Sequence, residues 1–567
     1  TFITNKNSCL PHNRVYYQKT FPMKHLLTLL LLMSCLFLLG CGKGSSPDES
    51  SPLIPRVEVP GSSAKPMAYV KMIALTKLIN KGVDVADAVK PGPQNAMLPM
   101  MAGMALGDAS LSSIDPSSPC TFLLFDDYKE GDPTFVLAMK LKPESPVKKQ
   151  AATLGMTTIE EKGWTLATMN PGLFQEVTDW SSVLSFTEEA PGEDLEVGVL
   201  LEPFWKELPA IKESITQELG SSGMDSILHL FFDEMASLDA TRIEVSISAD
   251  EIMMRATVSA KKETELHTLF SYQPASPDPE VSKYVPGGGW LDLVMNLDGA
   301  SFLKYLEHLF GLIEENLEGP EVREMSVAYL SVLRDSLKLY DGQAAMSYRV
   351  STDGNPMNLI QVGSTQASTS EFRELVEKSM GLSQRLIADS GLLRETGLKY
   401  DFELEQAEPI EGVEVLGFGM KMEGEGALGQ QLEASPFSTI NIYFAIYEGK
   451  YLSATKREDL AKIIKALKAD QSVENNIAGQ IALNEGDAVA WRLDLVHYAQ
   501  MVMSMVSLGG QTPLGEMMDG LSELEIPPVT GKVRLGNGRL SSEMRIPVVS
   551  IKAGFDYFES AQQAALK

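Results

Sequence analysis

The sequence predicts an α+β protein of duplicated, two-lobed architecture, with mainly antiparallel sheets and helices packed on one face. Three observations lead there. Short apolar strands with period-two alternation run repeatedly into helices of period 3.6. The strand-to-helix junctions recur in matching form along the chain. A stretch rich in Pro and Gly, residues 271–289, divides the pattern into two comparable halves.

Taken in order, Thr1 to Pro22 precede the first methionine and are expected to be an upstream extension without a working role. Residues 23–40 read as a secretory signal: Met23-Lys-His, an apolar run from Leu26 to Leu39, and a small residue, Gly40, before Cys41. A run of ~14 residues makes a helix of roughly 21 Å, short for a bilayer core of ~30 Å. Residues 41–64 are rich in Gly, Ser and Pro and predict a flexible tether.

The first lobe is assigned to residues 65–270. Pro66 to Leu106 reads as helical, with Met97, Met100, Met101 and Met104 at one-face spacing. Such a stripe can bind copper or line an adaptable groove, and core packing is the expected use. A hairpin unit follows, Cys120 to Trp180, with strands at Cys120–Phe125, Thr134–Leu141 and Gly163–Ala167. Asn170-Pro171 then starts a helix. A helical unit spans Leu195 to Phe270 and turns its hairpin at Ala249-Asp250-Glu251.

The second lobe is assigned to residues 290–567. Leu291, Leu293, Met295 and Leu297 alternate as a strand, and Ser368-Thr-Ser-Glu371 is a capping box. The second hairpin unit, Leu398 to Leu467, ends in a strand Tyr451–Ala454 and a second capping box, Thr455-Lys-Arg-Glu458. The helix stripe Leu460, Ile463, Ile464, Leu467 follows. In both hairpin units an aromatic stands three residues before an Ala-Thr pair, Trp164 and Tyr451. A last helical unit, Ile477 to Leu566, is expected to open with a strand at Ile477–Leu483 and to turn at Gly536-Asn537-Gly538.

Composition narrows the function classes. The chain has 48 basic and 76 acidic residues, a net charge of −28. Lys6, Arg14, Lys19 and Lys24 precede Cys41 and no acid does, so processing there leaves a net −32. Such a surface repels phosphate backbones, and no nucleic-acid partner is expected. Of the four cysteines, Cys9 and Cys35 lie in the removed part, leaving Cys41 and Cys120. Cys120 opens an apolar strand and reads as a buried, inert thiol.

The end of the signal, Leu38-Leu39-Gly40-Cys41, resembles a bacterial lipobox. The resemblance implies cleavage between Gly40 and Cys41, and diacylation of Cys41 as the lipid attachment. It further implies a lipid-anchored life in the cell envelope. Gly42 is not the Asp that often marks inner-membrane retention, so the outer membrane facing the periplasm is expected where a host has two membranes. The body also resembles uncharacterised bacterial envelope proteins built from repeated hairpins that end in a Tyr-Leu-x-x-Ala-Thr type of strand. The matching residues are Tyr451, Leu452, Ala454 and Thr455, and that resemblance implies no known activity.

Chemistry-bearing motifs are sparse. His229, His267, His308 and His497 are scattered, so no metal and no cofactor is expected. Gly-x-Ser-x-Gly is absent. Ser-x-x-Lys occurs at Ser62–Lys65 and Ser145–Lys148 and reads as chance, as its companion motifs are missing. Gly287-Gly-Gly289 precedes a strand and cannot offer a helix N-terminus to phosphate. Asn484-Glu-Gly-Asp487 reads as a helix cap rather than a calcium loop. No catalytic residue is assigned, and the chain leans away from an enzyme. The expectation is a binding or scaffold module with a membrane, an envelope protein or an apolar ligand as partner. An alternative is a lipid carrier with a groove lined by Trp491, Tyr498, Met501, Met503, Met505, Met517 and Met518; another is an enzyme of unrecognised class.

Overall fold

The computed structural model describes residues 52–126, 134–219, 232–272, 280–316, 320–339, 341–350, 358–389, 398–424, 438–481, 483–484, 486–507 and 526–565. In the first half the elements are β1 (Pro66–Met72), α1 (Leu75–Val89), α2 (Leu98–Ala105), β2 (Cys120–Phe125), β3 (Phe135–Met139), α3 (Pro146–Thr153), β4 (Thr157–Glu161), β5 (Trp164–Thr168), α4 (Pro171–Glu176), α5 (Ser181–Glu188), β6 (Leu195–Leu200), α6 (Glu202–Leu219), β7 (Leu238–Ile247), β8 (Glu251–Ala260) and α7 (Glu265–Phe270). In the second they are β9 (Leu291–Asn296), α8 (Gly299–Asn316), α9 (Pro320–Lys338), β10 (Gln343–Arg349), β11 (Asn358–Ser364), α10 (Thr369–Asp389), β12 (Leu398–Ile410), β13 (Val413–Gly424), β14 (Thr439–Tyr447), β15 (Lys450–Ala454), α11 (Arg457–Lys468), β16 (Asp487–Leu493), α12 (Leu495–Ser507), β17 (Val529–Gly536), β18 (Arg539–Pro547) and α13 (Val548–Ala565).

The protein is α+β, and every pairing between these strands is antiparallel. The ladders connect them into one sheet in the order 4-5-3-2-1-6-7-8-18-17-16-9-10-11-15-14-13-12. The expected two lobes are therefore the two ends of one sheet, joined strand to strand at β8 and β18. Each half repeats a plan: a first strand, two helices and a hairpin on one side, then a strand and a hairpin on the other. Arg255 and Glu543, each the fifth residue of its strand, pair with one another across the junction. An axis relating the halves passes through that pair.

At the junction, one face of the sheet carries a seam of ions. Arg255 reaches Glu543 and Glu244, each at 3.4 Å. Arg545 spans Glu543 at 2.9 Å and Glu251 at 3.0 Å. Lys532 and Arg534 hold Asp487 at 2.9 and 2.6 Å. Glu244, Glu543 and Asp487 are buried, so their charges depend on these partners.

Apolar cores flank the seam on the same face. The first gathers Tyr69, Leu123, Phe125, Trp164 and Leu166 under Leu173, Trp180 and Val183 of the α4–α5 region. The second gathers Val294, Ala345, Ile360, Val362, Leu452 and Ala454 under the α11 stripe. Helix α10 crosses the opposite face, where Phe372 meets Phe444 and Tyr451. Helices thus cover both faces here, because strands buried on both sides alternate two apolar sets.

Several local expectations change. Residues 66–72 form strand β1, not helix, paired on both edges by β2 and β6. The expected tether stops short of residue 53: Leu53 and Ile54 lie in the first core, and Pro60 O accepts from Thr178 N at 3.0 Å. Likewise Val281, Tyr284 and Val285 of the expected linker are buried in the second core. The strand expected at Ile477–Leu483 is a short 3-10 turn, Ile477–Gly479, and the strand is β16. Asp487 starts that strand instead of capping a helix; its carboxylate accepts from Asn484 N at 2.6 Å. Thr455 does not cap α11. It is drawn to the sheet, donating to Asn358 Oδ1 at 2.6 Å and accepting from Leu359 N at 3.2 Å. The caps at Ser368 and Asn170 form as expected: Ser368 N donates to Glu371 Oε2 at 2.8 Å, and Gly172 N to Asn170 Oδ1 at 3.1 Å. The methionine stripe is not core. Met97, Met100, Met101 and Met104 are exposed, between 40 and 57 %.

Candidate functional site

Beneath α10 the sheet leaves a cavity of about 380 Å³, a size within the ~300–1,000 Å³ of small-ligand sites. Its roof is helical because Ser368 and Glu371 form a reciprocal cap and an apolar stripe follows. The stripe, Phe372, Leu375, Val376, Ser379, Met380 and Ser383, turns onto the cavity at three- and four-residue spacing. Flanking that stripe, Lys378 pairs with Asp335 of α9 at 2.6 Å, and Arg373 with Glu414 of β13 at 3.4 Å on the sheet face that also carries Phe418. These contacts tie the helix down without filling the space beneath it.

The floor is built from alternate residues of β11 to β15. Phe402, Phe418, Ile442, Phe444 and Tyr451 all line the cavity, because Phe418 lies opposite Ile442 in one ladder and every second residue faces the same way. At one part of it, Phe372 packs 5.2 Å from Tyr451 and 5.3 Å from Phe444, centroid to centroid. At another, Phe402 and Phe418 lie 6.2 Å apart. The loop after β11 closes a side: Thr365 Oγ1 donates to Leu339 O and accepts from Ala367 N. Burial pushes the Tyr451 phenol up to about 12, against a smaller opposing effect of Ser453. Among the described residues that line this cavity there is no acid, base or imidazole side chain, so what they offer is apolar contact with a few hydroxyls and one amide.

The sequence-derived residues fall elsewhere. Gly40 and Cys41 lie outside the described residues, as do His229, Met517 and Met518 and the side chains of Met503 and Met505. Met501 is buried, whereas Tyr498 is 41 % exposed. Trp491 lies flat over Gly531, where any side chain would overlap the indole. Four of the seven residues of the expected methionine groove thus lie outside the described side chains, and Met501 is packed in the interior. Cys120 is buried, and burial pushes its thiol up to about 11, as fits an inert role. Ser145 caps helix α3, but its Oγ accepts from Val147 N at 3.2 Å and lies 2.6 Å from Ser113 Oγ. Lys148 turns away to Glu160 at 2.5 Å. Gly288 and Gly289 donate their N–H groups at 2.9 and 3.1 Å to the chain's own Asp292. His308 lies 3.7 Å from Glu234, and His497 lies 3.1 Å from Asp494; no metal-holding cluster occurs among the described residues.

The aromatic motif shared by the hairpin units also divides. Trp164 points into the first core, while Tyr451 points to the opposite face from Leu452 and Ala454 and lines the cavity. The cavity phenylalanines were missed because the strands were read for pairing and not for which face each residue takes. Two apolar faces in β12 to β15 were the available signal.

No family model, no curated protein and no solved structure matches this chain.

Proposed function

We propose that the chain is an envelope lipoprotein, anchored by acyl chains on Cys41, whose body serves as a binding module for a small apolar ligand. The cavity beneath α10 carries the binding part of this reading. It is lined mainly by Phe and aliphatic side chains, and apolar surface of that kind gains free energy by removing a matching guest from water. The lipobox resemblance at Leu38–Cys41 supports the anchor and a place on the periplasmic face of an outer membrane.

The binding reading is tested with the full chain and the fluorescent probe N-phenyl-1-naphthylamine. Saturable enhancement, lost in Val376→Trp with the thermal melt unchanged, is the expected result. An unsaturable response equal in both proteins would remove the reading. Mass spectrometry of the membrane-extracted N-terminal peptide tests the anchor separately: diacylglyceryl on Cys41 is expected, and a free thiol there counts against it.

A further inference from the structure

We infer that the cavity beneath α10 selects an uncharged amphiphile, one with an apolar body and a single neutral hydrogen-bonding group such as an alcohol, ester or amide. The inference rests on the reading of this cavity as a ligand site and adds the polarity of its occupant.

Three observations carry it. Among the described lining residues no side chain bears a charge. Two cations that flank the α10 stripe, Lys378 and Arg373, are already engaged by Asp335, Glu414 and Gln406. A carboxylate, phosphate or ammonium inside would therefore lose hydration against apolar side chains without a counter-charge from the described lining residues, which is unfavourable.

The polar groups that do face inward sit together. Gln361 of β11 lies opposite Ser453 of β15, and Tyr451 follows on the same face opposite Gly363. That glycine presents no side chain beside the phenol. Among the described residues the Gln361 amide makes no side-chain hydrogen bond, although it lines the cavity. It holds donors and an acceptor, so it can answer a hydroxyl, ester or amide in either sense. A purely hydrocarbon guest would leave the amide unsatisfied. A neutral polar group is the one match to both the amide and the missing charge.

The test uses the full chain loaded with N-phenyl-1-naphthylamine and displaced at pH 8 by 1-decanol, decanoate or decylamine. We expect 1-decanol to displace the probe at concentrations at least tenfold lower than either charged analogue. In Gln361→Leu the advantage of decanol should shrink severalfold with probe binding retained. In Gln361→Lys decanoate should become the better competitor. Decanoate or decylamine matching decanol on the unaltered protein would overturn the inference while leaving the cavity as a binding site. A probe that never binds the unaltered protein would instead remove the site reading itself.

Discussion

The two ends of the sheet start from the same plan and finish differently. At the first end β3 is followed by the eight-residue α3, whose Val147 fills a small core with Leu111, Ile114, Cys120 and Met139 on the face opposite Trp164 and Leu166, and β4 and β5 close the plan at once. At the second end β11 is followed by the 21-residue α10 and by an added hairpin, β12 and β13, before β14 and β15 complete the plan. The filled end needs no more chain. The extended end gains a roof and a floor that do not meet, and the cavity lies between them. A duplicated frame thus supplies the scaffold, and the feature that can bind arises where one copy departs from the other.

The comparison is broken most severely where the halves join. Arg255 and Glu543 occupy equivalent places but carry opposite charges, so the axis holds an ion pair where two identical halves would hold a repulsion. Arg255→Glu would face Glu543, 3 % exposed, and Glu244, 8 % exposed, and leave them Arg545 at 2.9 Å and Arg242 at 3.7 Å as cations. Breaking a buried pair costs about 3–5 kcal/mol, and we expect a loss at the upper end in urea unfolding. The exchange Arg255→Glu with Glu543→Arg should recover a measurable part of it. Loss of similar size in the exchanged protein would show that the seam depends on its other partners rather than on the axial pair.

A second comparison sets Asp487 against Asp194. Each lies at the start of its strand beside the ion seam: Asp194 takes Lys81 at 2.7 Å and Ile247 N at 2.7 Å, while Asp487 takes Lys532, Arg534 and Asn484 N. Burial pushes the Asp487 carboxyl up, but Arg534, the Asn484 N–H and Lys532 outweigh it and hold it below the usual range. A carboxyl lowered on folding contributes stability that is present above its unfolded value and is lost as pH falls through the folded one. Acid unfolding of the native protein should therefore steepen below pH ~4, and Asp487→Asn should flatten that limb. His497 works in the other sense. Its hydrogen bond to Asp494 raises it above 6.5, outweighing burial. That contribution is complete below the unfolded value and is lost as pH rises through the folded one. With the imidazole 47 % exposed, His497→Ala should cost below about 1 kcal/mol at pH 6 and less at pH 9. An acid limb unchanged in Asp487→Asn would place the weight of the seam elsewhere.

Much of the frame was legible because periodicity reports one buried face. The stripe at Leu460–Leu467 and the box at Ser368–Glu371 became the elements they announce, and the alternation at Leu291–Leu297 became strand β9, although its buried residues are Asp292, Val294 and Asn296. The pattern of repeats was also visible, since strands that run into helices leave local marks. What periodicity cannot carry is the partner of a strand. Nothing local in β8 or β18 says that they pair with each other across almost 300 residues. Nor does a strand say that both its faces are covered, as in β15, and the cavity depends on that fact. Asp487 misled for a related reason: an acid after Gly looks like a cap until the cations of the neighbouring strand, Lys532 and Arg534, are in place.

The smallest expected effect concerns the helices that each half places second after its first strand. In α9 of the second half Leu330 and Val332 are 6 and 8 % exposed, while in α2 of the first Met101 and Met104 are 55 and 57 % exposed. Both helices are apolar at helical spacing, so sequence pattern alone treats them alike. Burial does not. Truncating a buried leucine removes transfer energy and leaves a void, so Leu330→Ala should cost about 2–5 kcal/mol. Met101→Gln with Met104→Gln exchanges water-facing groups at sites away from caps and cavities and should move stability by no more than about 0.5 kcal/mol. Urea unfolding of both proteins distinguishes the cases. A methionine pair that cost as much as Leu330 would mean that α2 is covered in solution, and the difference between the halves would then be one of cover rather than of construction.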